Sequence, residues 1–464
     1  MASGGGRVKW GKSVYCCKNF LFKLLRGEKN VLSLRGKNVY CYKNTPFMEI
    51  KRDSYLKQLV DSRHNGLIKV VTGLRRAGKS YLLFKIFKQH LLAEGVKEDH
   101  IIDMAFDDFA NKEYRNPDKL YAYVKEKIVD GEMYYILLDE VQLLDDFVDV
   151  LNGFIHIDNA DVYVTGSNAR FLSTDIVTEF RGRGTQIHVN PLSFQEFMSV
   201  YEGARYQGLQ DYIRYGGLPQ VVLTTESDSK VAMLKELVAE TYIRDIIQRN
   251  KVRNNDELND LFNVLASNIG SLTNPTKLSN TFKSEKHVDL KSDTISRYID
   301  YFKDSFLIEE TTRYEIKGRR YIGTPHKYYF SDMGLRNAVL NFRQVDPGHL
   351  MENVIYNELR LRGYSVDIGS VTQYVRGENA KVQRRQLEVD FVCNRGYKRY
   401  YIQSALELTT EEKRQQELNS LLHINDNFKK IVIVGGLTTT HQDDNGILML
   451  NIFDFLLNPH SLEM

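Results

Sequence analysis

The chain has 464 residues, of which 42% are hydrophobic and 11% aromatic, so it has the composition of a globular protein and the length of two to four domains. No run of eighteen apolar residues occurs, which excludes an ordinary transmembrane helix, and we expect no membrane partner. The net charge is +3, but residues 1–47 carry ten basic side chains and one acid. The remaining chain holds 53 basic and 59 acidic residues, unlike a dedicated nucleic-acid binder.

The basic segment 1–47 also holds three of the four cysteines, and only Cys393 lies in the body. One thiol in so long a body argues against a disulfide framework and favours the reducing cytoplasm. We interpret residues 1–47 as a disordered or mis-annotated extension, with translation starting at Met48 and an amphipathic helix following directly. The alternative is a basic targeting or nucleic-acid-binding arm.

Residues 73–80 read GLRRAGKS and stand between an apolar strand ending at Thr72 and an apolar helical stretch from Tyr81. This strand–loop–helix context is the one that a phosphate loop requires. Glycines let main-chain amides approach phosphate oxygens, and the helix start adds its positive dipole end. The predicted ATP-binding residues are Gly73, Leu74, Arg75, Arg76, Ala77, Gly78, Lys79, Ser80 and Tyr81. Lys79 would also act in catalysis, since its ammonium can reach the β- and γ-phosphates.

A second strand, residues 134–138, runs directly into Asp139 and Glu140. Buried parallel strands deliver carboxylates to their carboxyl ends, where ligands bind in open α/β sheets. We therefore expect Asp139 and the Ser80 hydroxyl to hold Mg²⁺, and Glu140 to polarise the attacking water. The predicted cofactors are ATP and Mg²⁺.

A third strand, residues 162–164, ends in TGSN, where Asn168 is the candidate for orienting the water or touching the γ-phosphate. Arg181 and Arg183 follow in FRGRG and are candidates for neutralising charge on the transferred phosphoryl group. Either arginine acts within the chain, acts across a subunit interface, or serves only as surface charge. An oligomer is therefore possible but not demanded.

The order of several motifs resembles the prokaryotic AAA-like ATPases related to the STAND class, in the form that carries a restriction-endonuclease-like C-terminal domain. The motifs are GLRRAGKS (73–80), YYILLDEVQ (134–142), TGSNARFLS (165–173), FRGRG (180–184), NPLSFQEF (190–197), YGGLP (215–219), DIIQR (245–249), GHLMENVIYNEL (348–359) and LEVDFV (387–392).

This resemblance implies an α/β fold with a RecA/AAA-type parallel sheet at residues 48–200 and a helical lid at 201–251. YGGLP either senses the nucleotide state, as a Gly-x-Pro element does in related switch ATPases, or only shapes a helix junction.

Residues 252–345 show helical periodicity and then two strands, 307–309 and 327–330, across the basic loop 317–320. Three helices and a basic hairpin indicate a winged helix. In a DNA reader the segment 294–303 would enter the major groove, with Ser296 and Arg297 as its main polar side chains. The alternative is an intramolecular clamp or protein-binding module.

Residues 346–464 resemble a restriction-endonuclease-type core with Glu352 and Glu358 on a helix and Asp390 at a strand end. Active members of that superfamily place Glu-x-Lys on the next strand, where this chain has Gln403 and Ala405. We therefore predict a degenerate domain without nuclease activity, unless Lys413 or Arg414 substitutes. It would still bind DNA or a protein partner.

The sequence thus favours an ATP-binding, Mg²⁺-dependent hydrolase that turns over slowly as a molecular switch. Two alternatives remain: an ATP-gated DNA-binding or nuclease-type defence protein, and a scaffold that binds nucleotide without turnover.

Overall fold

The computed structural model describes residues 32–34, 37–39, 50–166, 184–343, 346–376, 382–436 and 438–464. Two compact units divide the chain, residues 1–49 and residues 50–464. In the first unit, strands β1 (Leu32–Leu34) and β2 (Lys37–Val39) form an antiparallel pair. Our interpretation of residues 1–47 as an extension stays a prediction.

The second unit begins with a five-stranded parallel sheet in the order β4-β5-β6-β3-β7. Its strands are β3 (Ile68–Thr72), β4 (Ile101–Ala105), β5 (Tyr134–Asp139), β6 (Ala160–Thr165) and β7 (Gly184–His188). The helices around it are α1 (Asp53–Asp61), α2 (Lys79–Tyr81), α3 (Lys88–Ala93), α4 (Pro117–Lys127), α5 (Phe147–Ile155) and α6 (Phe194–Met198). A π-helical segment, Leu82–Phe87, joins α2 to α3. This arrangement confirms the predicted RecA/AAA-type α/β class.

One boundary prediction in this sheet region is wrong, because helix α1 begins at Asp53 and not directly after Met48. Arg52 is the N-cap residue with a non-helical backbone, and its guanidinium donates to the main-chain oxygens of Ala77 and Asn190 and pairs with Glu196. These long-range contacts fix Arg52 outside the helix.

A helical region follows the sheet. Its helices are α7 (Arg205–Tyr215), α8 (Pro219–Val222), α9 (Ser227–Glu236), α10 (Arg244–Asn250), α11 (Asn255–Ser267), α12 (Pro275–Glu285), α13 (Ser292–Asp304) and α14 (Met333–Val339). A second π-helical segment, Leu237–Ile243, joins α9 to α10. The apolar positions predicted to recur at helical spacing lie buried on α11, including Leu258, Leu261 and Leu265.

The far end of the chain forms an eight-stranded mixed sheet in the order β14-β15-β13-β12-β11-β10-β8-β9. Its strands are β8 (Ile308–Glu315), β9 (Arg320–Phe330), β10 (Ser365–Arg376), β11 (Val382–Arg395), β12 (Lys398–Ala405), β13 (Lys429–Val434), β14 (His441–Gln442) and β15 (Leu448–Asn451). The helices here are α15 (Pro347–Leu361), α16 (Glu411–Leu422) and α17 (Ile452–Leu457).

The predicted basic hairpin is present as β8 and β9, and β8 also pairs with β10 in parallel. The strands expected on the two sides of residue 345 therefore belong to one sheet. Asp390 was predicted at a strand end, but β11 continues to Arg395, because residues 391–395 pair with β12. Asp390 thus lies inside a strand and is largely buried.

Candidate nucleotide-binding site

The predicted phosphate loop connects the carboxyl end of β3 to helix α2, and its glycines are required by its backbone. Gly73 has φ +129°, and a Cβ there would lie 2.1 Å from the main-chain oxygen of Val189. Gly78 has φ +97° and directly precedes Lys79, the first residue of α2. Side chains are strained at such φ values, so both positions select glycine. The loop and the helix start therefore lie at the carboxyl edge of the sheet, directly after β3.

Lys79 is buried with its ammonium over the loop. Its Nζ donates hydrogen bonds to the carbonyl oxygens of Gly73 at 3.0 Å and Leu74 at 3.1 Å. Burial lowers the pKa of Lys79 to about 8, although the negative charges of Glu140 and Asp139 oppose the shift. The ammonium therefore lies within the loop, where the sequence predicts that it reaches phosphate oxygens.

Ser80 and Asp139, the two predicted magnesium ligands, are in contact. Ser80 Oγ donates to Asp139 Oδ1 at 3.0 Å, and the Thr165 hydroxyl donates to the same oxygen. Burial raises the pKa of the Asp139 carboxyl, while these two hydroxyl hydrogen bonds lower it.

A hydroxyl and a carboxylate suit Mg²⁺, which takes one or two protein oxygens together with phosphate oxygens and waters. Across the described ranges no group of three or more His, Cys, Asp or Glu residues could hold a metal ion. The donor set is thus the kind expected for magnesium bound with a nucleotide, and not for a metal held by protein ligands alone.

Glu140, the predicted water-polarising residue, has a left-handed backbone with φ 51°. Its amide donates to Thr165 Oγ1 at 3.1 Å, and its carboxylate accepts from the Gln142 side chain. Thr165 therefore positions both acids, by bonding the side chain of Asp139 and the main chain of Glu140. Sequence analysis placed the functional polar side chain of this strand end at Asn168 and overlooked Thr165.

The remaining predicted site residues divide into three groups. Leu74 and Ala77 are buried in the core, so only their main chain can face a ligand. Arg76 has a left-handed φ of 64°, and Tyr81 is 38% exposed. Asn168, Arg181 and Arg183 lie outside the described residues.

Residues 241–245 contact the phosphate loop through Arg75. The Tyr242 hydroxyl donates to the main-chain oxygen of Arg75 at 2.8 Å. The Arg75 guanidinium donates to the Thr241 main-chain oxygen at 3.3 Å and pairs with Asp245 at 3.2 Å. Asp245 is the first residue of DIIQR, so this motif contacts the phosphate loop directly.

YGGLP lies beside the phosphate loop and contacts the region beyond it. A Cβ on Gly78 would lie 3.7 Å from Pro219 Cγ, which places the proline ring beside the loop. The amide of Gly217 donates to Asp332 Oδ2 at 2.7 Å, and the same carboxylate caps helix α14 through Leu335. Burial raises the pKa of Asp332 to about 6, although backbone hydrogen bonds oppose the rise. YGGLP is therefore both near the loop and at a helix junction.

The far-end acids surround a lysine that sequence analysis missed. Lys327, on β9, lies with its Nζ 2.8 Å from Glu352 Oε1 and 2.8 Å from Glu388 Oε1. Burial alone would lower the pKa of Lys327, but the charges of Glu352, Asp390 and Glu388 raise it above its ordinary value. The sequence analysis considered Lys413 and Arg414 as substitutes for the missing lysine and overlooked Lys327, because nothing in the local spacing points to it.

Gln403 and Asp390 are neighbours, as the resemblance implied. The Asp390 amide donates to Gln403 Oε1 at 3.4 Å, and Asp390 Oδ2 accepts from the Ser404 amide at 2.8 Å. Burial and the charge of Glu352 raise the pKa of the Asp390 carboxyl well above its usual range. A carboxyl with a raised pKa and a neutral amide form a weak metal site.

Comparisons with known proteins agree with the nucleotide-site geometry. A family model described as an AAA domain matches residues 65–198. Models described as domains of unknown function, DUF8612 and DUF4143, match residues 206–346 and 347–454. An uncharacterized protein of Haemophilus influenzae is 33% identical over 414 residues, which cover 88% of this chain and 98% of that protein.

This chain belongs to the same family of AAA-domain proteins as the Haemophilus relative. An uncharacterized protein of Methanocaldococcus jannaschii is similar to this family member with 28% identity, over 79% of the present chain and 80% of its own length. Among solved structures, a Walker-type ATPase of Pyrococcus abyssi matches 63% of this chain and 96% of its own, with 12% identity and a TM-score of 0.44. Within the described residues, no helix is long and apolar enough to cross a membrane.

Proposed function

We propose that this AAA-domain protein binds ATP with Mg²⁺, hydrolyses it slowly, and acts as a molecular switch for a DNA- or partner-binding module in residues 252–464. One observation carries the proposal: Ser80 Oγ lies 3.0 Å from Asp139 Oδ1, beside the buried ammonium of Lys79. The side chains needed for phosphate and magnesium thus meet at one edge of the sheet, although 59 residues separate Ser80 from Asp139.

Each residue has a distinct role in this proposal. The loop amides hold the phosphates, and Lys79 exchanges two loop carbonyls for phosphate oxygens. Ser80 and Asp139 hold Mg²⁺, which when bound neutralises charge on the phosphates. Glu140 polarises the attacking water, with its main chain fixed by Thr165. Asn168, Arg181 and Arg183 stay candidates for the water and for the transferred phosphoryl group.

Slow turnover follows if a partner must supply or order an arginine, since such a group contributes 10³-fold or more in related phosphoryl-transfer enzymes. The contacts of Pro219 with Gly78 and of Tyr242 and Asp245 with Arg75 support a switch. Any movement of the phosphate loop on nucleotide binding changes these contacts. Asp332 links these contacts to helix α14, because its carboxylate accepts from the amides of Gly217 and Leu335.

We divide the family member into an ATPase domain (48–200), a lid (201–251), a winged-helix-like domain (252–345) and a degenerate restriction-endonuclease-like domain (346–464). The order of α11, α12, α13, β8 and β9 supports a winged helix. Strands β10 to β15 with helices α15, α16 and α17 support the last domain, and β8 joins it to the winged-helix-like domain by pairing with β10. A buried, free Cys393 is in keeping with the cytoplasm.

Hydrolysis is tested by substituting Glu140→Gln. We expect phosphate release to fall by about 100-fold, the scale of a general-base contribution, while ATP binding persists. Glu132→Gln, an exposed glutamate near β5, is the matched control and should leave both unchanged. If Glu140→Gln hydrolyses ATP at the wild-type rate, the assignment of Glu140 is wrong. If the wild type releases no phosphate with or without DNA, the protein is a nucleotide-binding scaffold.

A far-end nuclease is the second candidate, because Lys327 supplies an ammonium that Ala405 cannot. We rank it below the switch, since the described residues include no three-ligand metal site. Incubating plasmid DNA with Mg²⁺ and either the wild type or Asp390→Ala decides it. Cleavage by the wild type alone would promote this candidate, whereas intact plasmid in both reactions removes it.

A further inference from the structure

One face of the far-end sheet carries three arginines from three different strands. Pairing of β8 with β9 places Arg320 opposite Glu315, and pairing of β10 with β11 places Arg384 opposite Tyr374. Glu315 is in turn paired with Ser370 of β10. Because paired residues share a face and every second residue returns to it, Arg313, Arg320 and Arg384 lie on the same side. We call these three residues the arginine face.

Two of the three arginines converge on one carboxylate. Arg320 Nε donates to Glu315 Oε2 at 2.6 Å, and a terminal nitrogen of Arg384 lies 3.6 Å from Glu315 Oε1. Arg384 also donates to Thr372 Oγ1 at 3.3 Å. The two guanidinium groups, from strands separated by β8 and β10, are therefore oriented toward one point on the surface.

The third guanidinium is held beside the first two by neutral groups. Arg313 donates to Ser370 Oγ and to Gln386 Oε1, each at 3.3 Å. Glu388, the next acid along β11, is already paired with Lys327. The three arginines, Glu315 and Glu388 carry a net charge of +1, and Lys317 and Arg319 in the adjoining turn add two positive charges. This surplus stands out in a body that is acidic overall.

Folding stability does not account for the arginine face. The Arg320 and Arg384 side chains are 72% and 54% exposed, and ion pairs of exposed side chains contribute about 0–1 kcal/mol. A guanidinium has five N–H donors in a planar fork, so donors remain for a ligand after these contacts. Planar forks match phosphate groups in bidentate geometry.

Aromatic and basic neighbours extend the same surface. Tyr374 is 65% exposed on this face, and Lys317 and Arg319 lie exposed in the turn between β8 and β9. Exposed tyrosines stack with nucleic-acid bases, and basic side chains beside them follow the backbone. An acidic protein would be attracted by the charge alone and would not require this combination.

We propose that the arginine face binds the phosphate backbone of a nucleic acid, with Tyr374 as a stacking platform. The inference rests on the proposed function only in assigning a binding role to residues 252–464. It names a nucleic acid as the partner of that module and places the binding surface on the far-end sheet. The location differs from the helix α13 surface that sequence analysis considered for a DNA reader.

The test measures fluorescence anisotropy of labelled duplex and single-stranded DNA with the full chain, without nucleotide and over a range of salt concentrations. The variant Arg313→Gln/Arg320→Gln/Arg384→Gln removes the face. The control Arg205→Gln/Arg253→Gln/Arg343→Gln removes the same charge from exposed arginines elsewhere. A triple lysine variant of the face keeps charge but loses the planar fork. Thermal melting verifies that all variants are folded.

The wild type should bind DNA with an affinity that falls as salt rises. The triple glutamine variant should lose at least about tenfold in affinity at low salt, and its salt slope for duplex should shrink by about 0.9 for each lost phosphate contact. The lysine variant should be intermediate and the control close to the wild type. Preference for single strands would assign the stacking role to Tyr374.

The inference would be overturned by a wild type that binds neither DNA probe, by a face variant that binds like the wild type, or by a control that weakens binding equally. If polyglutamate binds and DNA does not, the arginine face recognises an acidic protein partner, and the inference is overturned as well. Because no nucleotide is present, these failures are distinct from failure of the ATP site, which Lys79 and Glu140 variants test separately.

Discussion

Lys79 and Lys327 are both buried and both close to carboxylates, yet they are held in opposite ways. Two main-chain carbonyls, five and six residues away, accept from Lys79, whereas the carboxylates of Glu352 and Glu388 pair with Lys327. Burial lowers the pKa of Lys79 to about 8, while the surrounding acids raise that of Lys327. An ammonium held by carbonyls keeps its charge available for an anion, and one held by carboxylates is neutralised within the fold. The comparison supports the proposal that Lys79 binds a ligand and indicates a structural role for Lys327.

Among the tests of this comparison, we expect the largest effect, on the free energy of unfolding, for Lys327→Met. Removing the ammonium leaves Glu352 buried without its cation, which costs about 3–5 kcal/mol of unfolding free energy. The urea midpoint of the full chain should therefore fall strongly.

Lys283→Met, at an exposed position on α12, is the matched control and should leave the midpoint unchanged. A Lys327→Met protein as stable as the control would show that the far-end lysine is not structural. The Lys327 ammonium would then resemble that of Lys79 in being available for a ligand.

A smaller effect is expected from pH at the nucleotide site. Lys79 with a pKa of about 8 loses its proton as pH rises above that value, whereas bound phosphates favour the charged form and raise its pKa. ATP binding must then take up a proton, so affinity should weaken by up to about tenfold per pH unit between pH 8 and the pKa of the complex. Titrations across this range measure the effect, and Lys79→Arg, which stays charged, should be nearly flat. A wild-type ATP affinity that does not change across this pH range would contradict the lowered pKa of Lys79.

The smallest effect is expected for Tyr242→Phe, which deletes the hydrogen bond to the Arg75 carbonyl. One buried hydrogen bond contributes about 1 kcal/mol, and the orphaned carbonyl adds to the loss. We expect a modest drop in the urea midpoint and a change in ATP affinity of a few-fold. Tyr206→Phe, at an exposed tyrosine, is the control. Equal behaviour of the two variants would mean that the lid does not support the phosphate loop.

The geometry of the phosphate loop and of the adjoining strand end can be predicted from the sequence because the parts are local. Gly73 to Ser80 are consecutive, and Asp139 and Glu140 directly follow an apolar strand, so spacing alone indicates the loop and the strand end. The hairpin of β8 and β9 was predicted for the same reason, from two short strands around a basic turn. Parallel strands bring their carboxyl ends to one edge, which correctly joined Ser80 to Asp139.

Contacts between distant segments could not be predicted in this way. Lys327 joins Glu352 across 25 residues, and Gly217 joins Asp332 across 115 residues. Thr165 was passed over in favour of Asn168, because its partners lie on a neighbouring strand. Arg52 interrupts the predicted start of α1 through contacts with residues up to 144 positions away. In each case tertiary packing overrides a local pattern.

The most direct measurement of the central claim is calorimetric titration of Mg-ATP into the wild type, Lys79→Ala and Lys85→Ala, with thermal melting to verify folding. Lys85 is exposed on the same helical stretch and serves as the control. Loss of charged hydrogen bonds worth about 3 kcal/mol should weaken binding to Lys79→Ala by about 100-fold, with Lys85→Ala close to the wild type. A folded Lys79→Ala protein that binds Mg-ATP like the wild type would contradict the account.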